Sequence, residues 1–111
     1  MLRLRAPGDT LRLEEYVARG VPVDLTDASG NTLLMLAAYH GHADTVAALL
    51  RKGADVDRLN DSGQSPLAGA IFKGEDAVAA ALIDAGADLD AGRPTARATA
   101  QMFGRTDLLP R

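Results

Sequence analysis

Two histidines, His40 and His42, flank Gly41, and Asp44 follows two residues later. Imidazoles and a carboxylate this close are zinc-ligand types, but a protein zinc site needs at least three ligands and no third lies at a fixed spacing. A metal or catalytic site at His40 and His42 is therefore the remote alternative. Nucleophilic catalysis has no better start. The chain lacks a G-x-S-x-G turn, and Ser29, Ser62 and Ser65 stand in polar, glycine-flanked runs that suit turns and helix caps. Cysteine is absent, which removes thiolate chemistry, disulfides and iron–sulfur ligation. The run Asp55 to Asp61 is acidic enough for calcium, yet an EF-hand loop begun at Asp55 puts Leu59 at a ligand position. It also puts Asn60 where glycine is required and Pro66 at the bidentate carboxylate. No G-x-x-x-x-G-K phosphate loop occurs. The reading assigns no catalytic residue, no cofactor and no metal.

With chemistry set aside, binding is what remains, and composition narrows it. The 111 residues are 47% hydrophobic and 24% charged, with 12 Lys and Arg against 15 Asp and Glu. That balance offers no cationic excess to neutralise phosphates, so no nucleic-acid partner is expected. No apolar run is long enough to span a bilayer, and Met1 to Gly8 alternates Leu with Arg3 and Arg5, unlike a signal peptide. The expectation is a cytoplasmic protein with no membrane partner. Charge is uneven: residues 1–52 sum to zero, 53–90 to −6 and 91–111 to +3. Such polarity can steer a partner or favour head-to-tail contact between copies, although solvation is its ordinary role. Arg93 and Arg97, near the end, could meet a phosphate or a carboxylate, with a solvated helix face as the default. Only four aromatics stand against 21 alanines, so the interior must form by close approach of small-faced elements.

The elements that supply such faces come from an internal repeat. Gly20, Gly53 and Gly86 recur every 33 residues, and so do Gly8, Gly41 and Gly74. Thr32 to His40 carries Leu34, Ala37 and Ala38 at helical spacing and stops at Gly41. Asp44 to Lys52 predicts a second helix, capped by Asp44, apolar through Val46, Leu49 and Leu50, and ended by Gly53. The polar run from Asp55 to Gly63 has turn chemistry and links one helical hairpin to the next as a loop or β-turn finger.

Gly30-Asn31-Thr32-Leu33-Leu34-Met35-Leu36-Ala37-Ala38, then Gly41-His42, Leu49-Leu50 and Gly53-Ala54-Asp55, resemble the ankyrin repeat. The second unit is similar through Gly63-Gln64-Ser65-Pro66-Leu67 and Gly86-Ala87-Asp88. Arg- and Ala-rich usage also resembles small bacterial stand-alone ankyrin proteins. The resemblance implies an all-α solenoid of two full units, 27–59 and 60–92, between partial capping units at 1–26 and 93–111. Leu33 replaces the family's proline at the helix start, and Met35 and Ala68 replace its histidine, so the family's hydroxyl-to-histidine bond cannot form. At the ends, Asp9 to Gly20 reads as a second helix with Leu13, Tyr16 and Val17 inward. Pro94 to Phe103 reads as a first helix, and Gly104 to Leu109 as a shifted start of the next step. About three units are normally needed for stability, so self-association through the incomplete ends is the alternative function.

What the resemblance implies for function is a non-enzymatic module that binds an as yet unidentified protein on its inner helix face and its fingers. Tyr39 and Phe72 lie one repeat apart, with Met102 in the same place before Gly104, and His40, Lys73 and Phe103 beside them. Aromatic anchors of this kind dominate binding energies at interfaces, unless each ring simply packs over its neighbour. Ser29, Asn31, Asp61, Ser62 and Gln64, with Ala28 and Leu59, form the expected finger rim.

Overall fold

The computed structural model describes residues 23–110. These residues form five helices and no strand: α1 (Leu33–Tyr39), α2 (Ala43–Arg51), α3 (Pro66–Lys73), α4 (Asp76–Asp84) and α5 (Ala96–Met102), followed by a 3-10 turn at Thr106–Leu108. The reading of 9–20 as a helix, with Leu13, Tyr16 and Val17 inward, lies outside the described residues.

Hydroxyl residues start α1, α3 and α5. Thr32, Ser65 and Thr95 stand in extended backbone, and their side-chain oxygens accept the N–H of Met35, Ala68 and Ala98 at 3.0–3.1 Å. Pro66 then opens α3 where its missing N–H costs nothing. Gly41 turns the chain after α1 with φ of +74°, and Glu75, at the start of α4, lays its carboxylate where a side chain on Gly41 would go. Asp44 does not cap α2. The cap position is His42, which makes no side-chain cap bond, and Asp44 sits exposed in the first turn, where its charge favours the positive end of the helix.

Each first helix packs on its own second helix and on the first helix of the next unit, giving an inner row α1, α3, α5 and an outer row α2, α4. Leu34, Val46, Leu49, Leu67, Ile71, Val78 and Leu82 are fully buried between the rows. Ala37, Ala38, Ala70, Ala79, Ala96 and Ala100 are fully buried too and let the helices approach closely. The last unit differs from its sequence reading. Pro94 precedes the cap Thr95 instead of lying in the helix, and the step at Gly104 to Leu109 yields only the 3-10 turn. Arg105 ties that turn to α4, bonding Asp76 at 2.8 Å and Asp107 at 3.1 Å.

The fingers are closed by side chains. Asp27 Oδ1 accepts the N–H groups of Ser29 and Asn31, both at 2.9 Å, and one unit on Asn60 Oδ1 accepts those of Ser62 and Gln64 at 3.0 and 2.9 Å. Bonds also run between units: Asp61 N–H to Ser29 carbonyl at 3.0 Å, Arg93 N–H to Gly63 carbonyl at 2.8 Å, and Asn60 Nδ2 to Asn31 Oδ1 at 2.9 Å. Two of three carboxylates spaced one unit apart do the same. Asp24 accepts the N–H of Asp55 at 2.9 Å and Asp57 that of Asp88 at 2.8 Å, whereas Asp90 receives the Arg97 guanidinium at 3.0 Å.

Candidate functional site

Two grooves are lined jointly by finger residues and by the inner helix row. The first, about 310 Å³, is lined by Asn31, Asn60 and Gln64 of the fingers and by Leu36, Tyr39 and His40 of α1 and its end. The second, about 230 Å³, lies against Ala68, Phe72, Pro94, Thr99, Met102 and Phe103, and Gln64 borders it as well. Every wall of the second groove except Gln64 and Thr99 is apolar, so water there has few partners and is readily displaced by an apolar group.

The row expected from the sequence divides into two clusters. Tyr39 is half-buried: the His40 ring meets it edge-on at 5.7 Å between centroids, and Lys73 Nζ stands 4.9 Å from its ring centre. Phe72 packs edge-on against Phe103 at 5.5 Å, yet Phe72 stays 53% exposed, Phe103 50% and the adjoining Met102 66%. Each ring therefore does pack over a neighbour, and the second cluster still presents a broad apolar surface to solvent.

The finger residues do unequal work. Ser29, Asp61 and Ser62 are exposed, and Leu59 is 39% exposed. Asn31 is not a free rim residue, because its amide accepts from Asn60 and donates to Asp27 at 3.3 Å within the stack. Asp27 itself, which the rim reading omitted, has its carboxyl held below the usual range chiefly by the Asn31 backbone N–H; burial opposes this as the second-largest effect, and the Asn31 side chain and the Ser29 N–H add smaller lowering contributions. Arg97 meets the carboxylate of Asp90 in its own chain, and the same guanidinium lowers the Asp90 pKa. The imidazoles of His40 and His42 lie 6.2 Å apart, and among the described residues no three His, Asp or Glu side chains gather as a metal site.

Sequence reasoning missed Pro94, Ala68 and Thr99 as walls of the second groove. The signal was available in the spacing: Met102 follows Phe72 by 30 residues rather than 33, which shortens the third finger and brings Pro94 onto the inner face.

Comparison with known proteins agrees with this geometry. A family model described as ankyrin repeats (3 copies) matches residues 6–93. An ankyrin repeat protein of Pseudomonas aeruginosa is 51% identical over 43 residues, 39% of this chain and 25% of the relative, so the matched stretch spans about a quarter of that protein's length.

Proposed function

The chain belongs to the ankyrin-repeat family, and from that premise we propose that it is a non-enzymatic module that binds a protein partner through its inner helix face and fingers. Ankyrin repeats generally mediate protein–protein interaction and are generally non-catalytic. The observation that carries the reading for this chain is the apolar cluster of Phe72, Met102 and Phe103, left half or more exposed beside a groove. Tyr39, His40 and Lys73 extend the face across the first groove, and Ser29, Asp61, Ser62 and Gln64 supply polar groups at its edge. Asn31 acts behind them by holding two fingers in register. Recognition is by a preformed surface, so little ordering of the module opposes association. The array divides as 27–59 and 60–92, flanked by 1–26 and 93–111. No helix among the described residues is long and apolar enough to cross a membrane, and a cysteine-free chain is suited to the reducing cytoplasm where we place it.

The test compares the wild-type protein with the Tyr39→Ala, Phe72→Ala double variant in affinity capture from a lysate of the source cell. The expected result is a partner held by the wild type and lost by the variant, with helical circular dichroism and melting midpoint nearly unchanged. Equal capture by both proteins, or loss of the fold in the variant, overturns the assignment of this face. A mass that rises with concentration, with nothing else retained, assigns the face to self-assembly.

A further inference from the structure

Oxidation chemistry in this chain falls to its three methionines, Met1, Met35 and Met102, because there is no cysteine to take up a peroxide first. Met1 lies outside the described residues. Met35, in α1, is 3% exposed. Met102, the last residue of α5, is 66% exposed, more than any other large apolar side chain among the described residues. A peroxide therefore reaches the Met102 sulfur directly and the Met35 sulfur only when the chain opens.

The surroundings of Met102 give that chemistry a consequence. It walls the second groove together with Ala68, Phe72, Pro94 and Phe103, and Phe72 and Phe103 are themselves half exposed. Two polar side chains border the groove. Thr99 donates its hydroxyl to the Thr95 carbonyl at 2.8 Å, which leaves Gln64 as the one side chain there with N–H groups to donate. A thioether suits such walls, being soft and weakly polar. A sulfoxide does not, because its oxygen is a strong acceptor and an apolar occupant would strip it of water that the groove does not replace.

We propose that Met102 is a reversible oxidation site, and that its oxidation switches off the apolar face while leaving the fold intact. The thioether sulfur attacks an oxygen of hydrogen peroxide or an alkyl hydroperoxide. An S–O bond forms, the O–O bond breaks, and water or the alcohol leaves; sulfur gives up two electrons and the peroxide takes them. Methionine sulfoxide reductases working with a dithiol reverse the step, releasing the oxygen as water and the dithiol as a disulfide. The fold survives because the core contains Ala96 and Ala100 of α5 but not Met102, and because Thr95 caps that helix at its other end. The modification follows from exposure, while its effect on a partner rests on the protein-binding reading.

The test treats the full chain with hydrogen peroxide, maps it peptide by peptide by mass spectrometry, and compares it with Met102→Leu and Met102→Gln. Met102 is expected to gain one oxygen atom while Met35 gains none until denaturant is added. Helical circular dichroism and melting midpoint should stay unchanged, and the fluorescence of Nile red, an uncharged apolar dye, should fall. Met102→Leu should keep its dye signal through the same treatment, Met102→Gln should lack it without peroxide, and the reductases should restore it in the wild type. Oxidation of Met35 as fast as Met102, or loss of the fold in step with Met102 oxidation, overturns the proposal. So does a dye signal that is absent from the untreated wild type, unchanged by oxidation, or lost equally from Met102→Leu. Capture of a protein partner that survives oxidation, with the dye signal gone, instead overturns the assignment of this face to docking and leaves the modification site standing.

Discussion

Asp27 and Asn60 occupy the same place in successive fingers and make the same pair of backbone bonds, but only one of them titrates. Because the Asp27 carboxyl is held below its ordinary pKa of about 3.8, its ionised form is favoured in the folded chain. A group with a depressed folded pKa stabilises above its unfolded value and loses that contribution as pH falls through the folded one. The first finger should therefore weaken below about pH 4 while the second does not, and Asp27→Asn should flatten the part of the melting-temperature profile that Asp27 contributes. Thermal melts of both proteins between neutral and strongly acid pH measure this; parallel profiles would show that the Asp27 bonds contribute nothing on ionisation. Residue-level roles in the fingers were only partly legible in the sequence. Polarity and glycine placed the turns, but Asn31 and Ser29 look equally solvent-bound on the page, and only the stack shows that Asn31 is engaged on both sides.

At the level of elements, the two helices of a pair start by different means. Ser65 closes the first turn of α3 with its hydroxyl, whereas Glu75 begins α4 with no side-chain cap bond. Ser65→Ala should accordingly cost about 0.5–2 kcal/mol, and Glu75→Ala less, in chemical denaturation followed by circular dichroism. An equal loss would mean that the hydroxyl caps nothing of consequence. Helices α1 to α4 were readable because period, apolar spacing and terminal glycines agree over two units. Asp44 misled because an acid just before an apolar stripe resembles a cap, while the turn through Gly41 had already set the helix start one residue earlier at Ala43. The last unit was legible only up to its first helix, since Leu108 and Leu109 are too few apolar residues to hold a second one against α4.

For the molecule as a whole, stability comes from neighbour contacts in a short stack, with no large separate core to absorb damage. Leu67, 1% exposed in the central inner helix between α1 and α5, should be among the costliest positions: Leu67→Ala is expected to lose about 2–5 kcal/mol, a large share of what a small domain has. Denaturation followed by both circular dichroism and tyrosine fluorescence should give one shared transition for the wild type; separated transitions would show units that melt independently. The carboxylate row through Asp24, Asp57 and Asp90 acts at this scale too. Two of its members grip the backbone of the following unit, and the third is already occupied by Arg97. Asp90 thus differs from the other two in holding a side-chain partner where they hold a backbone N–H. A builder who continues the array with a full repeat in place of the last unit should therefore leave out the Arg97 guanidinium, so that Asp90 is free to receive the new unit's backbone as Asp24 and Asp57 receive theirs.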